Sequence, residues 1–154
     1  MKKIASFTID HTILPKGMYL SRVDGTAVTY DIRTRRPNKE EVMENGAIHT
    51  LEHLFATYVR NSAVSDKIIY FGPMGCRTGF YFITTDSLSK KDAIELTRSA
   101  LRFCADFEGD VPGVSAVECG NYLDHDLEKA KKEAEMMVSV LENWTEEMLT
   151  YPTK

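Results

Sequence analysis

Hydrophobic and polar positions alternate loosely along residues 18–33, and Asp24-Gly25 interrupts the alternation. A period of two is typical of a half-buried strand, and an Asp-Gly pair between two such runs predicts a β-hairpin. Residues 67–71 and 80–85 predict two further strands, joined by a glycine-rich loop over residues 72–79.

Apolar residues recur at helical spacing in the later part of the chain. The first such helix is predicted to follow Asn45-Gly46 and to end near Asn61-Ser62. Ser89, with Asp92 three residues on, predicts the start of a second helix. A long last helix is predicted over residues 124–141, and a short one over residues 144–149.

Residues 110–117 contain Pro112 and Gly113 and predict a loop followed by a short strand, with Cys119 at the end of that strand. The predicted strands cluster early, and the helices do not alternate with them in βαβ units. The sequence therefore predicts an α+β fold in which a mainly antiparallel sheet packs with helices. The length, 154 residues, predicts a single domain over residues 1–154.

Composition narrows the possible functions. Net charge is −4 and no run of Lys or Arg exceeds three residues, so neither a nucleic-acid partner nor a membrane surface is expected. The apolar stretch after Met1-Lys2-Lys3 breaks at Asp10, which predicts no signal peptide. The three cysteines are odd in number and widely spaced, which favours reduced thiols and a cytoplasmic location.

The stretch His49-Thr50-Leu51-Glu52-His53 carries the strongest chemical signal. On a helix, His49 and His53 are four residues apart and project from one face, with Cβ atoms roughly 6 Å apart. Glu52 lies on the same side of that helix. The pattern H-x-x-E-H supplies two metal ligands and an acid/base, although paired histidines on a surface helix are often only solvated.

Two histidines need a third ligand to hold a divalent ion firmly, and Cys119, next to Gly120, is the best candidate. A His₂Cys set leaves the fourth tetrahedral position open, as in catalytic sites, and suits zinc or iron(II). Taken alone, Cys119 is better explained as a small buried hydrophobe than as a ligand.

Cys76 lies in the glycine-rich loop, where it is expected to be exposed and reactive, with Arg77 beside it to favour the thiolate. A structural loop cysteine is the alternative. Cys104 lies on the apolar stripe of its helix and is expected to be a core residue. His125 is expected to cap or pack the last helix and to have no catalytic role. Arg33 is either a partner for a substrate carboxylate or a solvated surface charge.

Six blocks of the sequence, in this order, resemble S-ribosylhomocysteine lyase, the LuxS-type family of the activated methyl cycle. They are Ser6-Phe7-Thr8-Ile9-Asp10-His11-Thr12, Tyr30-Asp31-Ile32-Arg33, Pro37-Asn38, His49-Thr50-Leu51-Glu52-His53-Leu54, Pro73-Met74-Gly75-Cys76-Arg77-Thr78-Gly79-Phe80-Tyr81 and Cys119-Gly120.

The resemblance implies a cytoplasmic homodimer of α+β subunits with its active sites at the subunit interface. It implies Fe(II), replaceable by Zn or Co, one per subunit, on two histidines and a cysteine matching His49, His53 and Cys119. It also implies Glu52 and Cys76 as catalytic acid/base groups. Three further residues match positions that line the substrate site: Ser6, His11 and Arg33.

The implied reaction cleaves S-ribosylhomocysteine to homocysteine and 4,5-dihydroxy-2,3-pentanedione, the autoinducer-2 precursor. Two positions depart from the family, because Tyr70 and Gly72 stand where an Asp and a Ser are usual, near the pocket for the amino-acid end of the substrate.

Two alternative functions stay open on the residues alone. An inverzincin-like zinc peptidase would share the H-x-x-E-H pattern, but it leaves Cys76 without a task. A non-enzymatic, zinc-stabilised binding module would normally need four protein ligands, of which the sequence offers three convincing ones.

Overall fold

The computed structural model describes residues 1–153, and its sheet is built from two hairpins. Strands β1 (Gly17–Asp24) and β2 (Ala27–Arg33) form the predicted first hairpin, and β3 (Ile68–Pro73) and β4 (Gly79–Thr85) form the second. β2 also pairs with β4, so the strand order is β1-β2-β4-β3 and every pairing is antiparallel. The predicted α+β class with an antiparallel sheet is confirmed.

Three α-helices follow the predicted spacing: α1 (Asn45–Arg60), α2 (Lys90–Asp106) and α3 (Leu127–Val140). Ser89 caps α2 as predicted, because its hydroxyl accepts a hydrogen bond from the backbone N–H of Asp92 at 3.1 Å. The remaining helical segments are short 3-10 turns at Ala5–Phe7, Ser65–Lys67 and Glu146–Leu149. None of the described helices is long and apolar enough to cross a membrane.

The hydrophobic core lies between the helices and one face of the sheet. Alternate residues of the central strands point into it, including Tyr30 and Phe82, which are fully buried. The ring of Phe55 on α1 stacks on Phe71 of β3 with ring centroids 3.9 Å apart. This contact fixes the helix that carries the histidine pair against the sheet.

The opposite face of the sheet is more polar, yet two of its charged residues are buried. Asp31 and Arg33 on β2 are 1% and 2% exposed. Ile83 and Tyr81 on β4 share this face and are only partly covered. This outer face therefore contains a buried ion pair next to accessible side chains.

Two sequence predictions about residues 110–127 were wrong. The structure has turns and no strand over 110–117, because Pro112 has no N–H to donate, Gly113 adopts a φ of +74°, and Val117 is almost fully exposed. Cys119 consequently lies in a turn-rich segment. Helix α3 starts at Leu127, after the N-cap Asp126, which leaves His125 outside the helix.

Candidate metal centre and thiol site

The histidine pair of α1 meets Cys119 at the surface of the helix layer. His49 and His53 lie one turn apart, with ring centroids 4.7 Å apart and planes nearly perpendicular. The Sγ of Cys119 lies 3.4 Å from His49 Nε2, although 70 residues separate the two in sequence. The structure thus brings together the three residues that the sequence predicts as ligands.

Backbone carbonyls orient both imidazoles. His49 Nδ1–H donates to the carbonyl oxygen of Asp124 at 2.8 Å, and His53 Nδ1–H donates to that of Pro112 at 2.9 Å. A carbonyl oxygen only accepts, so each Nδ1 carries a hydrogen and each Nε2 is the ring nitrogen left for a metal ion. This is the usual second hydrogen bond of a metal-binding histidine.

Gly113 makes the carbonyl anchor of His53 possible. Its φ of +74° lies in the left-handed region, and a Cβ at this position would lie 3.2 Å from His53 Nδ1. A side chain here would therefore meet both backbone strain and the imidazole. The Pro112-Gly113 pair, which marked only a loop in the sequence, shapes the wall of the candidate site.

His125 is the residue that sequence reasoning missed. Its ring stacks on His49 with centroids 3.9 Å apart and meets His53 edge to face at 4.8 Å. The candidate ligand atoms of His49, His53, Cys119 and His125 all lie within 4.8 Å of one another. The only sequence signal that His125 lies near this group is its position six residues after Cys119.

The surroundings of His125 disfavour its charged form. Burial, and then the neighbouring His49 and His53, lower the pKa of His125 below its usual range. Its Nδ1 lies 2.9 Å from the hydroxyl of Thr50, and its buried Nε2 has no hydrogen-bond partner among the described residues. An imidazole whose charged form is disfavoured and whose Nε2 has no partner is compatible with a nearby cation.

The donor set fits a borderline-soft divalent ion. Imidazole nitrogens and a thiolate suit zinc or iron, whereas magnesium and calcium prefer oxygen ligands. Glu52 is half-buried on the same helix, and its carboxylate is not part of the four-residue group. Glu52 is therefore not among the candidate ligands.

Cys76 belongs to a second cluster at the turn between β3 and β4. Its side chain is exposed, and its Sγ lies 3.0 Å from the hydroxyl of Thr78. Arg33 donates from Nη1 to the same hydroxyl at 2.9 Å and from Nε and Nη2 to the carboxylate of Asp31 at 3.1 and 2.6 Å. The cation nearest in this network to Cys76 is therefore Arg33.

The expected role of Arg77 is not supported by its geometry. Arg77 ends the turn in the left-handed region, with a φ of +60°, and its guanidinium donates to the backbone oxygen of Met43 at 3.5 Å. Arg33, in contrast, is not a solvated charge, because it is only 2% exposed. Three of its N–H groups are already taken, by Asp31 and Thr78.

The other residues predicted to line the substrate site lie on the N-terminal segment. Ser6 borders a depression of about 230 Å³ over the outer face of the sheet, together with Arg22, Tyr81 and Ile83. His11 is half-buried, with Nδ1–H donating to the backbone oxygen of Ile9 at 2.9 Å. Neither residue belongs to the metal cluster or to the Cys76 hydrogen-bond network.

Tyr70 and Gly72 are coupled on the edge strand β3. The Tyr70 ring folds over Gly72 so closely that a Cβ added to Gly72 would lie 2.0 Å from the tyrosine hydroxyl. Tyr70 itself remains 48% exposed. The two departures from the family pattern therefore act as one unit, because a serine at 72 would require the ring to move.

The fold and the site define a metal-binding α+β enzyme with an accessible thiol. Comparison with known proteins gives the family: residues 4–148 match the family model of S-ribosylhomocysteinase (LuxS). The chain belongs to this family.

Several similar proteins are named S-ribosylhomocysteine lyase. The one from Phocaeicola vulgatus is 52% identical over 160 residues, which cover 100% of this chain and 99% of the relative. Those from Borrelia garinii subsp. bavariensis and Clostridium acetobutylicum are 50% and 47% identical over 157 residues, covering 99% of this chain and at least 99% of each relative. Nothing found supports a zinc peptidase or a non-enzymatic zinc module.

Proposed function

We propose that this protein is a carbon–sulfur lyase that cleaves S-ribosylhomocysteine to homocysteine and 4,5-dihydroxy-2,3-pentanedione. The observation that carries the proposal is the approach of Cys119 Sγ to within 3.4 Å of His49 Nε2, beside the second histidine of the pair. In a chain of the S-ribosylhomocysteinase family, this donor set supports a catalytic metal centre.

The proposed ligands are His49, His53 and Cys119, with Fe(II), or Zn or Co in its place, one ion per subunit. Three protein ligands leave one position for substrate. A bound divalent ion supplies Lewis-acid polarisation of a substrate carbonyl at such a centre. The carbonyl anchors of His49 and His53 keep both Nε2 lone pairs available for this ion.

Glu52 and Cys76 are the proposed acid/base groups. One takes the proton from the carbon next to the substrate carbonyl, at a Glu52 carboxylate oxygen or at Cys76 Sγ. Its return to C1, together with transfer of the hydroxyl proton from the C2 oxygen to the C1 oxygen, moves the carbonyl from C1 to C2, and a second round moves it to C3. Loss of a further proton then expels homocysteine as the thiolate by β-elimination. Such shuttling needs groups that both accept and donate protons.

The proposed assembly is a homodimer whose active sites lie at the interface, with Ser6 and His11 as substrate-binding residues. Its support is the exposed apolar surface of the N-terminal segment, where Ile4 and Phe7 are 56% and 70% exposed. Analytical ultracentrifugation tests the dimer. Mixing the inactive variants Cys76→Ala and His11→Ala should restore some activity in verified heterodimers, and no recovery would count against a shared site.

The proposed setting is the cytoplasm, with the product serving as the precursor of autoinducer-2. Arg33 is the third proposed substrate-binding residue, and Asp31 holds its buried guanidinium in place.

The decisive experiment is anaerobic purification with metal analysis, followed by a free-thiol assay on S-ribosylhomocysteine. The wild type should contain about one ion per chain and release thiol, whereas a His53→Asn variant should do neither. A fully loaded protein that releases no thiol would refute the lyase function.

A further inference from the structure

Hydrogen-bond directions around Thr78 orient its hydroxyl proton toward Cys76. Arg33 can only donate, so the Thr78 oxygen accepts from its Nη1 at 2.9 Å. The single hydroxyl proton of Thr78 is then free to point at Cys76 Sγ, 3.0 Å away. A hydrogen bond to the charged form of a group favours that form. The thiolate of Cys76 therefore gains one donor, and a buried cation lies directly behind that donor.

Asp31 holds this cation in place. The pair is 1–2% exposed, and the carboxylate receives two parallel N–H bonds from the guanidinium. Burial alone would lower the pKa of Arg33, but the hydrogen bonds and charge of Asp31 outweigh it and raise that pKa. The guanidinium is thus a permanent charge of fixed orientation.

The C-terminal segment completes the chain of hydrogen bonds. Tyr151 donates its hydroxyl to Asp31 Oδ2 at 2.7 Å, across 120 positions of sequence. Burial, followed by the charge of Asp31, raises the pKa of Tyr151 well above its usual range, so the phenol keeps its proton and donates. The ring of Tyr19 stacks on Tyr151 with centroids 5.1 Å apart and fixes its position.

We propose that Thr78 and Tyr151 are positioning residues for Cys76, the first as the direct donor to its sulfur and the second as the anchor that aligns Asp31 and Arg33. The proposal rests on the proposed function only in taking Cys76 as the catalytic thiol. Tyr151 and Arg33 both donate to Asp31, and a second branch runs from Arg33 to Thr78 and from Thr78 to Cys76.

The test measures the rate at which iodoacetamide alkylates Cys76 in the metal-loaded protein at pH 7.5, followed by peptide mass spectrometry. Thr78→Val keeps the shape but removes the donor, and it should slow alkylation by about tenfold. Thr78→Ser keeps a hydroxyl and should restore the rate to within twofold. Tyr151→Phe keeps the stacked ring, and it should slow alkylation by roughly threefold, because it acts through two intermediate residues.

Two matched variants control for the chemistry of the substitutions. Thr85→Val changes a threonine at the far end of β4, whose hydroxyl contacts Ser87, and Tyr58→Phe changes a half-buried tyrosine that packs on Phe103. Both should react at the wild-type rate. Thermal unfolding of every variant establishes that the folded protein is being compared.

Three results would overturn the proposal: a wild-type rate for Thr78→Val, a Thr78→Ser rate as slow as that of Thr78→Val, or a wild-type rate for Tyr151→Phe. If Thr78→Val fails to fold, Tyr151→Phe decides alone. The assay contains no substrate, so a wild type without lyase activity would refute the proposed function and leave the alkylation result standing.

Discussion

Alanine at position 113 should have two effects, strain in the backbone and a weaker metal centre, and a control at Gly25 measures the first effect alone. Gly113→Ala places an ordinary residue at a φ of +74°, and its Cβ would lie 3.2 Å from His53 Nδ1. Gly25→Ala is the matched control, because Gly25 has a φ of +59° and no atom within 4 Å of its Cβ position. Left-handed backbone costs an alanine roughly 1–2 kcal/mol in either place.

Both variants should therefore lose about 1–2 kcal/mol of unfolding free energy in the metal-free state, or about 2–8 °C in Tm. Only Gly113→Ala should also weaken metal binding. Its Cβ pushes the imidazole away from the Pro112 carbonyl, and loss of such an outer hydrogen bond lowers metal affinity by about 10–100-fold.

The assay is competition with a chromogenic chelator, with denaturant unfolding of both metal-free variants alongside. Equal metal affinity for Gly113→Ala and Gly25→Ala would show that the contact between position 113 and His53 does not support the site. A large loss in both variants would attribute the effect to general destabilisation.

Four further predictions follow from the geometry. Asp31→Asn should lose about 3–5 kcal/mol of unfolding free energy, because it leaves Arg33 buried without a counter-charge. The double variant Asp31→Leu/Arg33→Met should recover most of that loss in denaturant unfolding. An Asp31→Asn variant as stable as the wild type would contradict this prediction. Glu52→Gln should keep its metal and lose about 10²-fold or more in kcat. Glu135→Gln is the surface control, and loss of the metal from Glu52→Gln would show that Glu52 is a ligand. Burial raises the pKa of Cys104 to about 12, whereas the thiol of an unfolded chain has a pKa of about 8.5. The free energy of unfolding should therefore be unchanged below about pH 8.5 and fall as pH rises toward 12. Cys104→Ala should show a shallower decline. Chelator should lower the unfolding free energy of the wild type by about 2.7 kcal/mol from a state loaded at 100 times Kd. It should leave that of Cys119→Ser unchanged, and equal losses would contradict the assignment of Cys119.

Local sequence signals predicted the regular elements well. The hairpin around Asp24-Gly25 and the capped start of α2 depend on residues close together in the chain, and both are confirmed. The prediction that the last helix begins at residue 124 was wrong, because the apolar stripe of the helix does not mark its N-cap, Asp126. The strand predicted within 110–117 was wrong, because Pro112 has no N–H to donate and Gly113 has a φ of +74°, so the chain turns there.

Only part of the candidate site could be predicted from the sequence. The spacing of His49 and His53 is visible in the sequence because one helix carries both residues. The approach of His125, 76 positions after His49, depends on how α1 packs against the segment before α3, and no local pattern encodes that packing. The cation of the Cys76 cluster was likewise assigned to the sequence neighbour Arg77, whereas β2–β4 pairing brings in Arg33 through Thr78.

The buried Asp31–Arg33 pair is better explained by reactivity than by stability. Removing two charges from water costs about as much as their attraction returns, so an apolar pair of similar volume would serve the fold equally well. An apolar pair would, however, leave the Thr78 hydroxyl without the donor that orients its proton toward Cys76. Asp31 keeps the guanidinium charged and aligned, and Tyr151 fixes Asp31 from the other side. The ion pair therefore belongs to the thiol site, and its contribution should be found in the chemistry of Cys76.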